Sequence, residues 1–471
     1  MDIVLHIAQW LQRHRQQLVH MRRHLAKHPE ISGTEWRTAA YIRGILASAG
    51  IKSEYLNQRE NGVICELGSG EPLIAWRADI DGLPGADPRE VPYRSRNPQA
   101  RHSCGHDIHT AIGIGIALAL SEIELPGRIR FIFQPSEETS TPYTPRHKGG
   151  DGPLLQGGIQ AVLSGAMREV QLVFSLHTRP GLPAGNVALN AGVFNGYNAF
   201  YQIELFGPGG HTAQPRSTFN LTEALAKIAH QFPDRLSRRM PGRHLVIAHG
   251  QMQVSAAPDN PASAANAIPG YGLISGNIRH LEPDLSGTDV EKLFFEEGQT
   301  LVFDTVKGRT PWEARPPGTE HVGVCLSLRQ GAIQVVNSPI ATQLVRQGAA
   351  TAIGVEHCLV STPSMGGEDV GALHEQASHG GAQFWLGTGG SMNLHQPEID
   401  FDEDALAVGV KVGAHTLHAA LRTDLRPREI TPPTEQQALS QAQKQERRLF
   451  LPITALADYE PAGGVTYMPQ S

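Results

Sequence analysis

The stretch HTAIGIGIALALSEIELPGRIRFIFQ (residues 109–134) joins a long apolar helix pattern to a short apolar strand pattern through a Pro-Gly turn. Similar short apolar runs stand on either side of it, PLIAWRADI (72–80) and LVFSLHT (172–178). Short strands that alternate with longer helical stretches are typical of a parallel sheet whose crossovers are helices. The sequence therefore predicts an α/β fold with a mostly parallel central sheet flanked by helices.

The pattern changes twice along the chain. Residues 1–195 carry the strand–helix alternation, whereas residues 196–325 contain about four strands and two helices between Gly-rich and Pro-rich joints. We therefore expect a larger domain in two parts, 1–195 and 326–423, with a smaller α+β domain inserted between them. Residues 424–471 are polar and Gln-rich, and we expect a solvated tail or a loosely docked helix there.

Charge and cysteine content argue against several classes of protein. The 471 residues carry 40 Lys and Arg against 46 Asp and Glu, so the formal charge of −6 gives no electrostatic footprint for nucleic acid or an anionic membrane. The apolar run that begins at Ala111 is shorter than the roughly 18 residues that span a bilayer. The N-terminus has no signal-peptide pattern, and four scattered cysteines indicate no disulfide framework. We therefore expect a soluble, reduced, cytoplasmic protein.

The densest group of chemically active side chains is HSCGHDIH (residues 102–109), immediately before the long apolar helix. Thiolate and imidazole are good ligands for zinc-like ions, and a carboxylate is the usual partner of a ligating histidine. A His-rich helix N-terminus capped by Asp107 is the structural alternative. Three His, one Cys and one Asp within eight residues favour a metal site.

Polar side chains also follow the apolar strands. Glu137 and Glu138 come just after RIRFIFQ, Asp79 lies near the end of PLIAWRADI, and His177 lies near the end of LVFSLHT. Adjacent carboxylates repel each other unless a cation neutralises one of them. Because open α/β sheets bind ligands at the carboxyl ends of their strands, we expect these groups to converge with His395, which follows a Gly-rich turn. A solvated acid pair and a structural histidine are the alternatives. No GxSxG, GxxxxGK[ST], HExxH or CxxC pattern supports a competing chemistry.

Together these motifs resemble the M20 metallopeptidase superfamily, in the aminoacylase/amidohydrolase branch that includes hippurate, auxin-amino-acid conjugate and aminobenzoyl-glutamate hydrolases. The similarity runs from about residue 15 to about residue 420. Its motifs, in the family's order, are MRRHLAKHPEISGTEWRTAAYI, RADIDGLP, HSCGHDIHTA, FIFQPSEE, SLHTRPGLPAG, GGHTAQP, NAIPGYGLISGNIR, GGEDV and LHQPEIDFDEDAL. The resemblance implies that 1–195 and 326–423 form a catalytic domain and that the inserted domain is a lid and dimerisation domain.

The resemblance also implies a centre of two divalent metal ions per subunit, zinc or manganese. The implied ligands are Cys104, His106, Glu138, His177 and His395, with Cys104 in the bridging position. Glu137 would act as general base toward metal-activated water and then return the proton to the leaving amine. The residues that would orient the ligands are Asp79, Asp107 and His109. His109 as a further ligand from its loop is the alternative.

Other implied roles belong to the inserted domain. His211 would reach the tetrahedral oxyanion, in dimeric members from the partner subunit, and Asn266 and Arg279 would hold the α-carboxylate of the substrate. We therefore expect a homodimer, or a heteromer with a similar second subunit. Its partner would be a small N-acyl amino acid substrate, with no nucleic acid and no membrane.

The sequence thus predicts a metal-dependent amidohydrolase that cleaves the amide bond of an N-acyl or N-aroyl amino acid, releasing a carboxylic acid and a free amino acid. A dipeptidase or carboxypeptidase acting at the same site is one alternative, and a binding protein that has lost its activity is another. The chain departs from the family in residues 139–158, a longer and more basic segment expected to shape the acyl pocket, and in 308–325, where the lid is expanded.

Overall fold

The computed structural model describes most of the chain, residues 2–139, 155–215, 218–262, 264–307, 323–425 and 446–452. The two departures from the family, in 139–158 and 308–325, lie largely outside the described residues. The helices within them are α1 (Ile3–Lys27), α2 (Trp36–Ser48), α3 (His106–Ser121), α4 (Gly157–Leu163), α5 (Leu221–Arg239), α6 (Gly287–Lys307), α7 (Pro339–Ile353), α8 (Gly371–Gln376) and α9 (Asp404–Ala420).

The strands follow in chain order. They are β1 (Ser53–Tyr55), β2 (Val63–Gly68), β3 (Leu73–Asp79), β4 (Leu83–Pro84), β5 (Ala100–Arg101), β6 (Arg128–Gln134), β7 (Leu172–Arg179), β8 (Val187–Leu189), β9 (Gly192–Asn195), β10 (Tyr197–Phe206), β11 (Gly210–His211), β12 (Leu245–Ser255), β13 (Ala267–Ile268), β14 (Tyr271–His280), β15 (Gly323–Gln330), β16 (Val335–Asn337), β17 (Cys358–Val360), β18 (Gly381–Gly387) and β19 (Glu446–Pro452).

The chain divides into two compact units. Of the described residues, unit 1 comprises 2–139, 155–195, 334–364 and 368–425, and unit 2 comprises 196–215, 218–262, 264–307, 323–333, 365–367 and 446–452. Unit 2 extends beyond the boundary that we expected at residue 325, because β15 continues to Gln330 and belongs to its sheet.

The sheet of unit 1 confirms the predicted α/β fold. Its strand order is β1-β2-β6-β3-β7-β18-β16-β9, and β8 and β17 pair outside this path. The central strands β6, β3, β7, β18 and β16 run parallel, whereas β2 is antiparallel to β6. Every residue of β3 and β18 is buried, as expected for the interior of a parallel sheet. The carboxyl ends of the central strands therefore lie along one edge.

Helix α3 connects the predicted metal-binding motif to this core. It packs against α1, α9 and β3. Close contact with α9 depends on two glycines, since a Cβ on Gly409 or Gly413 would lie 2.3 Å from the Cδ1 atom of Ile112 or Ile116, respectively. A larger side chain at either position would push the two helices apart. None of the described helices, α3 included, has the length and apolar character needed to cross a membrane.

Unit 2 is an antiparallel sheet with two helices. Its strand order is β12-β14-β10-β15-β19, and side chains of α5 and α6, among them Phe232 and Phe294, form its core with the sheet. A separate pair of short strands, β11 and β13, lies in the same unit. Strand β19 differs from our expectation of a solvated tail or docked helix, because the backbone of ERRLFLP pairs with β15 along its whole length.

Candidate metal centre and active site

The carboxyl-end edge of the parallel sheet in unit 1 brings the five predicted metal ligands together. Cys104 lies in the loop before α3, and His106 is the first residue of that helix. Glu138 follows β6, His177 lies near the end of β7, and His395 lies in the loop after β18. Because these strands are parallel and close to one another in the sheet, their ends deliver side chains to one place.

Two sets of three ligand atoms share Cys104. The Cys104 sulfur and one nitrogen each of His106 and His177 lie within 4.8 Å of one another. The ligand atoms of Cys104, Glu138 and His395 do so as well. One thiolate is thus common to two sets of donors, which is an arrangement that can hold a pair of divalent ions.

The hydrogen bonds of these side chains leave ligand atoms free. His106 donates from Nδ1 to the carbonyl oxygen of Asp81 (2.9 Å), and His177 donates from Nδ1 to the carbonyl oxygen of Thr178 (2.9 Å). Among the described residues, the buried Nε2 of His106 and Oε1 of Glu138 have no hydrogen-bond partner, and they lie 4.0 Å apart. Buried polar atoms without partners are costly, and a cation between them removes that cost. The residues present therefore fit a divalent metal centre.

Acidic neighbours change the pKa of two of these groups. Burial raises the pKa of the Cys104 thiol well above its usual value, and Glu138 and then Glu137 raise it further. Burial alone would lower the pKa of His106, but Asp79 and other carboxylates overcome this and raise it to about 10. In both cases nearby carboxylates contribute negative charge that a cation would compensate.

Asp79 and His109 contact each other beside the ligands. Nδ1 of His109 lies 2.5 Å from Oδ1 of Asp79, and Nε2 of His109 accepts the backbone N–H of Thr178 (2.9 Å). Both ring nitrogens of His109 are therefore hydrogen-bonded to protein groups. Oδ2 of Asp79 lies 3.6 Å from Nε2 of His106, so Asp79 contacts His106 as well as His109.

Glu137 lies beside a second group of carboxylates. Oxygen atoms of Glu137, Glu368 and Asp369 lie within 4.8 Å of one another. The fully buried Arg77 binds Glu368 (2.9 Å), Asp369 (2.8 Å) and Asp79 (2.7 Å). Burial raises the pKa of Glu137 well above its usual value, and Glu368 is the first of the acidic neighbours that raise it further. A carboxyl group whose pKa is raised in this way is suited to carrying a proton near neutral pH.

Sequence reasoning missed Arg22 of α1, which links two of the loops that carry ligands. Its buried guanidinium lies 2.8 Å from Asp107, in the first turn of α3, and 3.0 Å from Asp400. Asp400 follows the turn of His395, whose backbone has a positive φ of 70° and whose N–H donates to the carbonyl oxygen of Ser103 (2.8 Å). Arg22 thus pairs with acids in two segments next to predicted ligands, the first turn of α3 and the segment after His395.

Glu35, which sequence reasoning also missed, holds the turn before the acid pair. Its Oε1 accepts the N–H groups of Ser136 and Gly33 (both 2.8 Å), and its Oε2 accepts from the amide of Asn61 (2.8 Å). Ser136 has a positive φ of 60°, so its conformation needs such support. Burial, followed by the charge of Asp81, raises the pKa of Glu35 to about 8.

The three remaining predicted residues belong to unit 2. His211 lies on β11 and is exposed, and its Nδ1 accepts the N–H of Ala213 (3.0 Å). Asn266 is exposed just before β13. Its backbone carbonyl oxygen accepts the N–H of Thr212 (3.1 Å), so Asn266 lies next to His211. Arg279 lies on β14 and is partly buried, and among the described residues no carboxylate lies within ion-pair distance of it.

Strand β14 separates Asn266 from Arg279. Asn266 and His211 lie by the end of the strand that begins at Tyr271, where Thr212 and Ala267 line a cavity of about 680 Å³ with Val254 of β12. Arg279 lies eight residues further along, and eight residues of strand span about 26 Å. Burial lowers the pKa of the Arg279 guanidinium, as expected for a cation with no acidic partner among the described residues.

The sequence matches one family of enzymes. The profile of peptidase family M20/M25/M40 matches residues 75–419. The protein named "Probable hydrolase sll0100" from Synechocystis is 32% identical over 405 residues, covering 83% of this chain and 93% of that protein. N-acetyl-L-cysteine deacetylase of Bacillus subtilis is 28% identical over 395 residues, covering 83% of this chain and 85% of that protein.

A solved structure from the same family is also similar. The dinuclear metal binding peptidase of the M20 family from Bacillus subtilis is 25% identical, covers 88% of this chain and 99% of its own, and superposes with a TM-score of 0.68. The similarity confirms the resemblance that the sequence motifs carry. The chain therefore belongs to peptidase family M20/M25/M40, and it is a metal-dependent amidohydrolase.

Proposed function

We propose that this enzyme hydrolyses the amide bond of an N-acyl or N-aroyl amino acid and releases a carboxylic acid and a free amino acid. The observation that carries the proposal is the pair of donor sets that share Cys104, with Glu137 next to them. Two relatives support the substrate class by their names, the N-acetyl-L-cysteine deacetylase of Bacillus subtilis and the N-acetyldiaminopimelate deacetylase of Streptococcus pneumoniae.

Five residues would hold two divalent ions, zinc or manganese. Cys104 with His106 and His177 would hold one ion, and Cys104 with Glu138 and His395 would hold the other. Bound there, such ions supply a Lewis acid for the amide carbonyl and lower the pKa of water. His109 is not in this set, because both of its ring nitrogens are engaged by Asp79 and the Thr178 backbone.

Glu137 would carry the proton of the reaction. Its carboxylate accepts the proton of the attacking water and donates it to the nitrogen of the leaving amine. Glu138 cannot do the same, because its oxygen faces Nε2 of His106 and of His395 (3.2 Å) in the donor set. The two adjacent acids therefore have separate roles, which follow from their different surroundings.

His211, Asn266 and Arg279 would complete the site from unit 2. In this proposal His211 donates to the oxyanion, and Asn266 and Arg279 bind the α-carboxylate of the substrate. One small carboxylate cannot reach both ends of β14, which lie about 26 Å apart along the strand. If both residues bind it, one of them comes from a second subunit, and we therefore propose a dimer.

The experiment compares wild-type enzyme with Glu137→Gln and with Glu54→Gln, an exposed control acid. The substrates are N-acetyl amino acids, hippurate, aminobenzoyl-glutamate and dipeptides, and metal content is measured on protein purified without chelator. We expect two ions per chain in all three proteins and a loss of about 10²- to 10⁴-fold in kcat for Glu137→Gln only.

Two results would overturn the proposal. A Glu137→Gln variant that turns over at the wild-type rate removes the role of Glu137. Wild-type enzyme that cleaves dipeptides but no N-acyl amino acid assigns the site to peptide substrates instead.

A further inference from the structure

Arg179 is the last residue of β7, two positions beyond His177. Alternate residues of a strand point to the same face, so Arg179 and His177 share one face of the sheet. Two residues of strand cover about 7 Å, which places the Cα atom of Arg179 that far beyond His177 toward the carboxyl-end edge. This edge is where open α/β sheets bind their ligands.

An aromatic side chain fixes the guanidinium there. The guanidinium carbon of Arg179 lies 4.9 Å from the ring centroid of Trp385, which is 5% exposed and belongs to the neighbouring strand β18. The Trp385 ring meets the His177 ring edge-on at 5.7 Å and the Phe194 ring at 4.7 Å. The guanidinium of Arg179 therefore stacks on the Trp385 ring, and that ring is in direct contact with His177, a proposed metal ligand.

Arg179 differs from the buried arginines of unit 1 in its charge partners. Arg22 and Arg77 each pair with three carboxylates. No described carboxylate lies within ion-pair distance of Arg179, and its side chain is exposed. Stacking on Trp385 occupies the face of the guanidinium and leaves its in-plane N–H groups available, in the fork geometry that matches a carboxylate.

We propose that Arg179 is a specificity-determining residue that binds a second carboxylate of the substrate, in addition to the α-carboxylate. The inference rests on the proposed function and deepens it. The preferred substrates are N-acyl amino acids that carry an extra carboxylate, either on the amino-acid side chain or at the end of the acyl chain. Arg179 binds that carboxylate through a bidentate, charge-assisted pair of hydrogen bonds.

The test uses pairs of substrates that differ only in this charge. N-acetyl-glutamate and N-acetyl-glutamine form the side-chain pair, and N-succinyl-alanine and its succinamoyl analogue form the acyl-chain pair. The full-length, metal-loaded enzyme is compared with Arg179→Gln, Arg179→Lys and the control Arg346→Gln, an exposed arginine of α7.

We expect Arg179→Gln to lower kcat/KM for the charged member of one pair by about 10- to 100-fold while changing its amide by less than about 2-fold. Arg179→Lys keeps the charge without the fork and is expected to lie between the wild type and Arg179→Gln. Arg346→Gln is expected to match the wild type on every substrate. The pair that responds identifies the position of the second carboxylate.

Equal losses on the charged and the amide member would overturn the assignment, because they would mean that Arg179 only supports Trp385 and His177. Unchanged kinetics on both pairs would overturn it as well. In both cases the proposed function survives, since the wild type still cleaves the substrates. A wild-type enzyme that cleaves no member of either pair refutes the assignment of Arg179, and the proposed function fails as well only if hippurate and aminobenzoyl-glutamate are not cleaved either.

Discussion

Most candidate residues of unit 1 are buried, whereas two of the three candidate residues of unit 2 are exposed. In unit 1, Cys104, His106 and His177 are 0 to 8% exposed, and their neighbours are fixed by buried arginines and shared hydrogen bonds. In unit 2, His211 and Asn266 are exposed on and beside two-residue strands. The difference indicates that these three ligands of unit 1 are part of the folded core, although His395 is exposed, whereas His211 and Asn266 could be replaced at little cost to folding.

A consequence is that stability and activity should separate by unit. Substitutions around the unit 1 ligands remove partners from buried charges, so they should affect folding and metal content together. Substitutions of the exposed unit 2 residues should affect turnover alone.

Removing Arg22 is expected to have the largest effect. Arg22→Met leaves Asp107 buried without an ion-pair partner among the described residues and Asp400 with one partner fewer, so the free energy of unfolding should fall by about 3–5 kcal/mol. Metal content should fall too, because the same arginine joins the loops of α3 and His395. Urea unfolding followed by tryptophan fluorescence and elemental analysis measure the two effects.

The matched control is Arg15→Met, on the same helix. Arg15 pairs with Asp404 at the surface, where both side chains are more than half exposed. Such a pair contributes about 0–1 kcal/mol. If Arg22→Met were no more destabilising than Arg15→Met, the buried network would not hold the ligand loops.

Replacing His211 tests whether an exposed residue of unit 2 affects turnover without affecting stability. His211→Ala is expected to lower kcat by about 10²- to 10³-fold if it removes an oxyanion donor. Because the side chain is exposed, the free energy of unfolding should stay within about 0.5 kcal/mol of the wild-type value. His230→Ala, an exposed histidine of α5, is the control. A kcat within twofold of wild type would remove His211 from the mechanism.

Co-expression of two inactive variants sharpens this test. If His211 acts on the site of a second subunit, a dimer of Glu137→Gln with His211→Ala has one complete site, and random pairing should restore about one quarter of wild-type activity per chain. If His211 acts within its own subunit, no site is complete and the mixture stays inactive. The assay therefore distinguishes the proposed dimer from a self-sufficient subunit.

Much of unit 1 could be predicted because its signals are local. The apolar runs of β3, β6 and β7 predict buried parallel strands, and the polar residues at their ends predict a site at one edge. The HSCGHDIH motif places Cys104 and His106 together without any knowledge of distant residues. To predict these features, it is enough to recognise the alternation of strands and helices in the sequence.

The remaining features depend on partners far along the chain. Arg22 and Asp400 are 378 positions apart, and Glu35 and Ser136 are 101 positions apart, so neither contact has a local pattern. Strand β19 was missed because seven residues in a polar segment gain their structure from backbone pairing with β15. The sequence does not reveal that a charged side chain is buried, because its partners come next to it only in the folded chain.

The smallest expected effect is a loss of stability in acid that comes from one histidine of unit 1. His374 of α8 is 5% exposed, and Nδ1 donates to the carbonyl oxygen of Val336 (3.1 Å), while Nε2 has no partner among the described residues. Burial lowers the pKa of His374 to about 4. In the unfolded chain His374 takes up a proton near pH 6.5, whereas in the folded chain it stays neutral until the pH approaches 4. The stability that neutral His374 contributes to the folded chain is therefore fully present above pH 6.5 and is lost as the pH falls toward 4.

This loss should reach at most about 3 kcal/mol by pH 4. His374→Asn keeps a donor for Val336 but cannot be protonated, so its free energy of unfolding should decline less steeply than that of the wild type between pH 7 and pH 4. His20→Asn, at an exposed position of α1, controls for removing a histidine. Parallel curves for wild type and His374→Asn would mean that His374 takes up its proton in the folded chain, and that the interior of unit 1 tolerates a charge without a fixed partner.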